Sequence, residues 1–314
     1  MPSLLNIYKI IMLIFCLILQ VLITNTNAAA EIIIDNAGRR IEFSKPFQRI
    51  ISLYGAHTEN LFYLGADRQI IGVSINDKFP LKAKSKPSFS FHDDAEKFLG
   101  SAPDLVIIRP MIDNGYSQLF ASLEKFGIVI VSLQPSNIEE MYDYWLKLGL
   151  LSGKEKEVKT MIKEFKTQIL KYNSLKSKIK QKRNVYFEAI HKRMKTFTQN
   201  SMPGFVLHTA GGVNIAADAI ASRNTNIANY GKEKILSHAS EIDIFLAQKG
   251  VMNNITKTII NNEPGFKAIK AIKNNQVYLI DEEIISRPGF RLLNGIKTIG
   301  KILYPDIYKN IKSF

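Results

Sequence analysis

Short apolar segments alternate with helical patterns along most of this chain, and this alternation limits the fold more than any other feature. Helical spacing of apolar residues follows the first segment at 58–64 and recurs at 116–126. Strands separated by helices pair in parallel within a layered α/β fold. The apolar segments that we predict as strands or strand-like runs are 49–53, 70–74, 105–108, 128–133, 185–189, 210–217, 244–247 and 277–280.

A long helical pattern interrupts this alternation in the middle of the chain. After a break at Ser152-Gly153, apolar residues recur three and four positions apart over residues 154–179, which spans roughly 39 Å as a helix. That length can connect two lobes, whereas a surface helix on one domain is the alternative. We therefore predict two Rossmann-like α/β lobes joined by one long α-helix, with a ligand cleft between them. The predicted parts are an N-terminal lobe at 31–152, a linking helix at 153–182 and a C-terminal lobe at 183–314.

Two segments of the chain resemble each other, which also favours two lobes. Residues 96–107 and 233–244 share Glu, Lys, Leu, Ala and a final Ile at a constant offset of 137 positions. Each segment has a helix start, a turn and then a buried strand.

The first thirty residues are typical of a secretory signal peptide. Lys9 is the only charged residue among them, the run 10–23 is apolar except for Gln20, and an alanine triplet ends at Ala30. A helix over that run spans only about 21 Å, less than the ~30 Å hydrocarbon core. We predict that residues 1–30 are cleaved near Ala30 and that the mature protein is periplasmic; a retained membrane anchor is the alternative. Phe15 precedes Cys16 where lipid attachment requires a small residue.

The composition excludes several classes of function. The net charge of +14 comes from Lys and Arg spread along the chain, so we expect a solvated surface and no nucleic-acid partner, although a basic cleft for an anionic ligand stays open. Cys16 is the single cysteine, so the mature chain has neither disulfides nor a thiolate metal site.

Motifs for catalysis are missing from the sequence. It contains no Walker A loop, His-Glu-x-x-His or Gly-x-Ser-x-Gly motif, and its paired carboxylates, such as Asp93-Asp94, are adjacent and diverge. We predict no catalytic residues, no cofactor and no enzymatic activity.

One ordered set of segments is characteristic of a known family. The segments are 49–53, 57–66, 71–74, Phe79-Pro80, 96–107, 127–133, 210–216 and 286–291. Taken in order, they resemble the periplasmic binding proteins for ferric siderophores and cobalamin. The resemblance covers nearly all of residues 47–305, and it departs from the family at Tyr54-Gly55-Ala56 and at Ser240-Glu241-Ile242-Asp243. It implies two lobes on a stiff helix and delivery of cargo to the permease of an ABC importer.

The same resemblance implies one glutamate on each lobe that pairs with arginines of the permease. By motif position these residues are Glu96 and Glu233, the pair that the internal similarity also aligns. The alternative for each is an ordinary acidic residue near a helix N-terminus.

Candidate ligand residues follow from the rule that ligands bind at the carboxyl ends of strands in open α/β sheets. Arg109 directly follows a strand, and its guanidinium suits carboxylate or catecholate-type oxygens. A metal site shared by the cleft histidines is an open alternative, and we commit no residue to it. The predicted ligand residues are Tyr54, His57, Phe79, His92, Arg109 and Met111 from the first lobe and His191, Met194, Arg287 and Phe290 from the second.

Together these observations predict a monomeric binding protein that captures an iron chelate, a ferric siderophore, and passes it to a permease. Cobalamin, another tetrapyrrole or a metal oxyanion is the alternative within the same class. An exported α/β enzyme or an interaction module is the alternative from a different class.

Overall fold

The computed structural model describes Tyr8, Met12 and residues 30–222 and 225–311. The predicted signal peptide therefore lies almost wholly outside the described residues. Among the residues described, no helix combines the length and apolar character needed to cross a membrane.

The first lobe is built on a five-stranded parallel sheet in the order β5-β4-β3-β6-β7. A two-stranded antiparallel hairpin, β1 (Glu31–Ile34) and β2 (Arg40–Phe43), precedes it. The sheet strands are β3 (Ile50–Ser52), β4 (Ile70–Ser74), β5 (Ser88–Phe89), β6 (Leu105–Ile108) and β7 (Val129–Ser132). The helices are α1 (Gly55–Tyr63), α2 (Ala95–Gly100), α3 (Pro110–Gly115) and α4 (Ser117–Lys125), with a 3-10 turn at Leu81–Ser85.

Two consecutive helices lead from the first lobe to the second. α5 (Ile138–Ser152) begins at the Asn137 side chain, which accepts the Glu140 N–H, and ends at Gly153 in the left-handed conformation that glycine tolerates best. α6 (Glu155–Lys176) follows and buries Val158, Met161, Phe165 and Tyr172. Its 22 residues span about 33 Å. The helix is shorter than the predicted 154–179 because Ser177 caps it.

The second lobe contains six strands, and its sheet is mixed. The order is β11-β9-β8-β12-β13, with β10 also paired to β8; β9 runs antiparallel to both neighbours. The strands are β8 (Asn184–Ile190), β9 (Lys195–Phe197), β10 (Val213–Asn214), β11 (Ile227–Asn229), β12 (Ile244–Lys249) and β13 (Val277–Asp281). The helices are α7 (Met202–Thr209), α8 (Lys232–Ser237), α9 (Lys257–Asn261), α10 (Lys270–Lys273), α11 (Glu282–Ile285), α12 (Leu292–Leu303) and α13 (Pro305–Tyr308), with 3-10 turns at His191–Arg193 and Phe266–Ala268.

Two details of the second lobe differ from the sequence-based expectation. β9 was not among the predicted strands, and it runs antiparallel to β8 because a short turn after β8 returns the chain as a hairpin. The predicted strand-like run at 210–217 is reduced to β10, since α7 continues to Thr209 and the chain then turns through Gly211.

One apolar core runs through both lobes along α5 and α6. It includes the fully buried Trp145, Phe165 and Tyr308 and one face of each sheet. Separate clusters cover the opposite faces, around Phe98 in the first lobe and Phe245 in the second. The two α/β lobes on a long linking helix confirm the predicted fold class, and the shared core joins the lobes firmly.

Candidate ligand-binding cleft

The carboxyl ends of the strands of the two lobes border a common cleft. A cavity of about 210 Å³ lies in it, and an adjoining cavity of about 650 Å³ shares four of its lining residues. Together they fall within the usual range for ligand pockets, about 300–1,000 Å³. The smaller cavity is lined by Leu53, Tyr54, Gly55, Ser74, Asn76, Asp77, Phe91, Arg109 and Ile112 from the first lobe and by Gln248, Val251, Met252, Glu282, Ser286 and Arg287 from the second.

Another cavity, of about 400 Å³, lies between the start of α5 and residues 199–208. Amide side chains and His208 make up half of its lining, and none of the predicted ligand residues contributes to it. Since the 210 Å³ cavity is lined by a half-buried cation that has no ion-pair partner among the described residues, and this cavity is not, we take the former as the candidate site.

Arg109 is that cation. It precedes α3 as the N-cap residue, and its guanidinium lies over the ring of Tyr54, 4.9 Å from the centroid. No carboxylate in the described part of the chain forms an ion pair with it, and its Nε is buried without a hydrogen-bond partner there. A cation held against an aromatic ring, with no anion of its own, is suited to bind an anionic group of a ligand.

Tyr54 forms the wall beside Arg109 and is half-buried. Burial raises the pKa of its phenol, so Tyr54 stays protonated at neutral pH and can donate a hydrogen bond. Tyr54 and Arg109, both predicted from the sequence, are thus brought together in the cavity.

Asp77 brings a carboxyl group to the same wall. Its Oδ2 accepts a hydrogen bond from Thr58 Oγ1 at 2.5 Å, and that hydroxyl lies 2.7 Å from Ser52 Oγ. Burial raises the pKa of Asp77 to about 6. Asp77 therefore changes charge just below neutral pH, next to the candidate ligand.

Arg287 also lines the cavity, but its charge is compensated. Its Nη1 lies 2.6 Å from Glu59 of the first lobe and its Nη2 lies 3.0 Å from Glu283. Arg291 contacts the same two carboxylates at 3.0 and 3.4 Å. These four side chains, which we call the inter-lobe charge cluster, connect α1 to the turn after α11.

The prediction that Phe290 contacts the ligand is not supported, because this ring packs between the lobes. It stacks on Tyr63 at 4.5 Å and meets Phe165 edge-on at 5.9 Å. The carbonyl of Pro288 next to it accepts hydrogen bonds from Asn60 Nδ2 at 2.9 Å and Trp145 Nε1 at 3.3 Å. The 286–291 turn therefore fastens the second lobe to the first.

His57 is also withdrawn from the ligand site. Its side chain is fully buried, with Nδ1 2.8 Å from Tyr144 Oη and Nε2 3.0 Å from the Ile108 carbonyl. Burial lowers the pKa of His57 to about 3, so the ring is neutral and both nitrogens are occupied.

His191 and Met194 lie within the second lobe and not in the cavity lining. His191 is 4% exposed and contacts Glu188 and Glu263, while Met194 packs on the core around Phe245. The hairpin of β8 and β9 turns these side chains away from the cleft, so neither is retained as a ligand residue.

Three other predicted residues lie near the cleft without lining either of its cavities. Phe79 lies under the Arg291 guanidinium at 4.2 Å, and Met111 is exposed with its sulfur 4.0 Å from Arg109 Nη2. His92 is exposed, and its Nδ1 lies 3.0 Å from Tyr116 Oη. Contact between these residues and a ligand stays a prediction.

Sequence reasoning missed part of the lining. Asn76, Asp77 and Phe91 lie on loops that the strand-end rule selects, but the second-lobe residues Gln248 and Met252 were not identified. The apolar run of β12 was the signal, because its carboxyl end leads directly to both residues. Among the described residues, no group of three or more His, Cys, Asp or Glu side chains could hold a metal ion.

Glu96 and Glu233 occupy equivalent places outside the cleft. Each is exposed in the first turn of a six-residue helix, α2 or α8, and neither forms an ion pair within the described ranges. The lysine after each is bound elsewhere: Lys97 to Asp93 at 2.7 Å and Lys234 to Asp218 at 2.5 Å. Both carboxylates are therefore left free on the surface.

The comparisons agree with this architecture. The family model described as periplasmic binding protein matches residues 50–284. The chain belongs to this family. The resemblance inferred from the ordered motifs is thus confirmed at the level of the family.

Individual relatives of this periplasmic binding protein share much of its length. The ABC transporter substrate-binding lipoprotein YvrC of Bacillus subtilis is 24% identical over 284 residues, 88% of this chain and 86% of that protein. The vitamin B12-binding protein of Vibrio campbellii is 27% identical over 81% of this chain and 88% of its own. A possible iron-binding periplasmic solute-binding protein from Staphylococcus epidermidis superposes with a TM-score of 0.72, with 27% identity over 83% of this chain and 100% of that chain. These relatives are named as binding proteins and not as enzymes.

Proposed function

We propose that this protein is the substrate-binding component of an ABC importer, captures a ferric siderophore in the cleft between its lobes, and delivers it to the permease. The observation that carries the proposal is the guanidinium of Arg109, which has no ion-pair partner among the described residues and lies over Tyr54 in a cavity lined by both lobes. The iron-binding name of the Staphylococcus epidermidis protein and the transporter name of the Bacillus subtilis relative support it.

The chemistry of the cleft suits a chelate better than a bare cation. Siderophore complexes present anionic oxygens around the metal, and Arg109 can bind these oxygens while Tyr54 and Phe91 contact the apolar parts of the ligand. A bare divalent ion needs several oxygen, nitrogen or sulfur ligands at once, and no such cluster exists among the described residues.

Cobalamin is the second candidate. It is supported by the name of the Vibrio campbellii relative, which is similar over most of this chain. The amide groups of cobalamin can accept hydrogen bonds from Arg109 and the Tyr54 phenol as anionic oxygens do, so this contact alone does not discriminate between the two.

Export and docking complete the proposal. The segment 1–30 directs secretion to the periplasm, where it is removed near Ala30, and Glu96 and Glu233 bind arginines of the permease. Their equivalent positions at the start of α2 and α8, and the absence of ion-pair partners in the described ranges, support this docking role.

A fluorescence titration tests the ligand. Trp145 is the single tryptophan and donates a hydrogen bond to Pro288 of the inter-lobe turn, so it reports on changes between the lobes. The mature protein is titrated with ferric hydroxamate and catecholate complexes, cyanocobalamin and haemin. A ferric siderophore should bind with micromolar or lower Kd, and Arg109→Ala should weaken it at least tenfold, about 1.4 kcal/mol or more.

Lys257→Ala is a matched control, since this cation lies over the ring of Tyr278 away from the cavity lining. Binding of cyanocobalamin alone would favour the second candidate. Failure of all four ligands to bind would refute the ligand class, and an Arg109→Ala affinity equal to that of wild type would remove Arg109 from the site.

A further inference from the structure

A chain of polar contacts inside the second lobe plays no part in the cleft chemistry described so far. At its centre is His191, with Nδ1 2.8 Å from Glu188 Oε2 and Nε2 3.4 Å from Glu263 Oε2. His191 and Glu188 are buried, at 4% and 0% exposure. Because buried charged groups need partners, these three side chains form a unit in which each position depends on the others.

On one side the main chain at His191 holds the loop that lines the ligand cavity. The backbone N–H of His191 donates to Asn253 Oδ1 at 3.0 Å, and Asn253 Nδ2 donates to the Gln248 carbonyl at 2.8 Å. The backbone of Asn253 also hydrogen-bonds Gly250. Asn253 therefore fixes the loop 250–254, which presents Val251 and Met252 to the cavity.

On the other side the unit reaches the second docking helix. Glu263 forms an ion pair with the Nζ of Lys232, the first residue of α8 and the neighbour of Glu233. The turn that carries His191 is linked to α8 a second time, because the Met194 carbonyl accepts the N–H groups of Tyr230 and Gly231 at 3.3 and 3.1 Å.

We propose that His191 is a positioning residue that couples the cavity loop 250–254 to the docking helix α8 through Asn253 on one side and Glu263–Lys232 on the other. Ligand contact with Val251 and Met252 shifts the loop, and the polar chain carries that shift to the helix that presents Glu233. This inference rests on the proposed function, since it assumes that the cavity binds cargo and that Glu233 docks to a permease.

Hydrogen–deuterium exchange of the full-length protein tests the coupling without a ligand. His191→Gln removes the charged contact with both carboxylates, and Asn253→Ala cuts the chain on the cavity side. In both variants the amides of residues 231–238 should exchange at least tenfold faster, while those of α12 and of α2 keep wild-type rates. His208→Gln is the matched control, because the His208 ring hydrogen-bonds only Lys176 among the described side chains and lies outside the polar chain.

Two outcomes overturn the proposal. Exchange at 231–238 that stays at the wild-type rate in Asn253→Ala would show that the cavity loop is not coupled to α8. Acceleration of equal size in α12 would show general destabilisation of the lobe and not positioning. If His191→Gln does not fold, Glu263→Gln interrupts the chain with a smaller change and must give the same local acceleration.

Because no ligand is added, the result is independent of the ligand titration. If the protein binds ferric siderophores but Asn253→Ala leaves exchange at 231–238 unchanged, only the coupling is refuted. If Asn253→Ala accelerates this exchange but none of the four test ligands binds, the ligand class is refuted and the mechanical link is kept.

Discussion

At the scale of single residues, Asp77 gives the cleft a pH-dependent charge. Burial raises its pKa from the ordinary value of 3.8 to about 6. A carboxyl group whose pKa is raised on folding contributes stability that is fully present below pH 3.8 and is lost as the pH rises through 6. The folded protein therefore bears a cost at neutral pH for keeping Asp77 ionised.

Asp77→Asn should remove this cost. We expect it to raise the free energy of unfolding by about 1–3 kcal/mol at pH 8 and to leave it unchanged near pH 3.5, as measured by urea denaturation across this range. Asp93→Asn should instead lower the free energy of unfolding at pH 8. The hydrogen bond from Lys97 lowers the pKa of Asp93, so the ionised carboxylate stabilises the fold and this stabilisation is lost as the pH falls. A loss of stability in Asp77→Asn at pH 8 would contradict the assignment.

Gly55 explains one departure of this sequence from its family, the Tyr54-Gly55-Ala56 turn. A Cβ at this position would lie 2.6 Å from Nη1 of Arg287, so a larger residue would require the guanidinium to move from its place beside Glu59. Glycine at the first position of α1 thus makes room for the contact between Glu59 and Arg287 of the other lobe.

Gly55→Ala should therefore push Arg287 away from Glu59 and leave a buried carboxylate poorly paired. The helical preference of alanine opposes this by less than about 1 kcal/mol, and we expect a net loss of about 1–2 kcal/mol in unfolding free energy. Gly100→Ala is the control: it has open space around its Cβ, and it should be neutral or slightly stabilising. Differential scanning calorimetry of both variants would reveal equal effects if the packing argument is wrong.

At the scale of structural elements, the 286–291 turn fastens the second lobe to α1 and α6. Phe290 packs between Tyr63 of α1 and Phe165 of α6. Phe290→Ala should lower the unfolding free energy by about 2–4 kcal/mol, because it opens a cavity between the lobes. Phe126→Ala, at an exposed phenylalanine in the first lobe, should change it by less than about 0.5 kcal/mol.

Urea unfolding followed by Trp145 fluorescence measures both effects. A Phe290→Ala variant as stable as Phe126→Ala would mean that the turn does not hold the lobes together. A broad transition in Phe290→Ala would indicate that the lobes have begun to unfold separately.

The elements themselves were well predicted wherever a local pattern decides them. The bounds of β4 and β6 agree with the predicted apolar runs, since each run lies in one buried strand. The β9 hairpin was not predicted, because its short strand follows a tight turn through Met194 in the left-handed conformation, for which the local sequence gives no turn signal.

The internal similarity between residues 96–107 and 233–244 was aligned correctly for the glutamates but not for the strands that follow them. Glu96 and Glu233 align at an offset of 137, but the strands that follow align at 139, with Leu105 equivalent to Ile244 in pairing β3 and β8. Asp104 accepts the N–H groups of Gln48 and Arg49, and Asp243 accepts that of Asn184. Asp243 thus takes the role that Asp104 has in the first lobe, after two extra residues, which an ungapped comparison cannot detect.

The prediction of the ligand site from the sequence was limited in a similar way. Tyr54 and Arg109 were identified because a strand end places a side chain at the sheet edge. His57 satisfied the same rule but is buried, because its partners Tyr144 and the Ile108 carbonyl lie 87 and 51 positions away. Contacts at such separation depend on the packing of whole elements, which a single sequence does not specify.

At the scale of the whole molecule, the structure favours a rigid carrier. The shared core along α5 and α6, the inter-lobe charge cluster and the Phe290 packing all resist separation of the lobes. Such a carrier presents Glu96 and Glu233, the two glutamates that we propose dock to the permease, at a nearly fixed distance. In this proposal both carboxylates bind their partners at the same time, so the loss of one contact weakens the other.

This rigidity makes the docking assignment testable by charge reversal. Glu96→Lys or Glu233→Lys should lower uptake of a ⁵⁹Fe-labelled siderophore by cells at least tenfold, and the double variant should abolish it, because a lysine repels the arginines expected on the permease. The Kd for the same siderophore should stay within twofold of wild type, since neither residue lines the cleft. Glu42→Lys, an exposed charge reversal on β2, is the control that should leave uptake intact. Wild-type uptake by the double variant would remove both residues from the docking surface, and an equal loss in Glu42→Lys would attribute the effect to net charge alone.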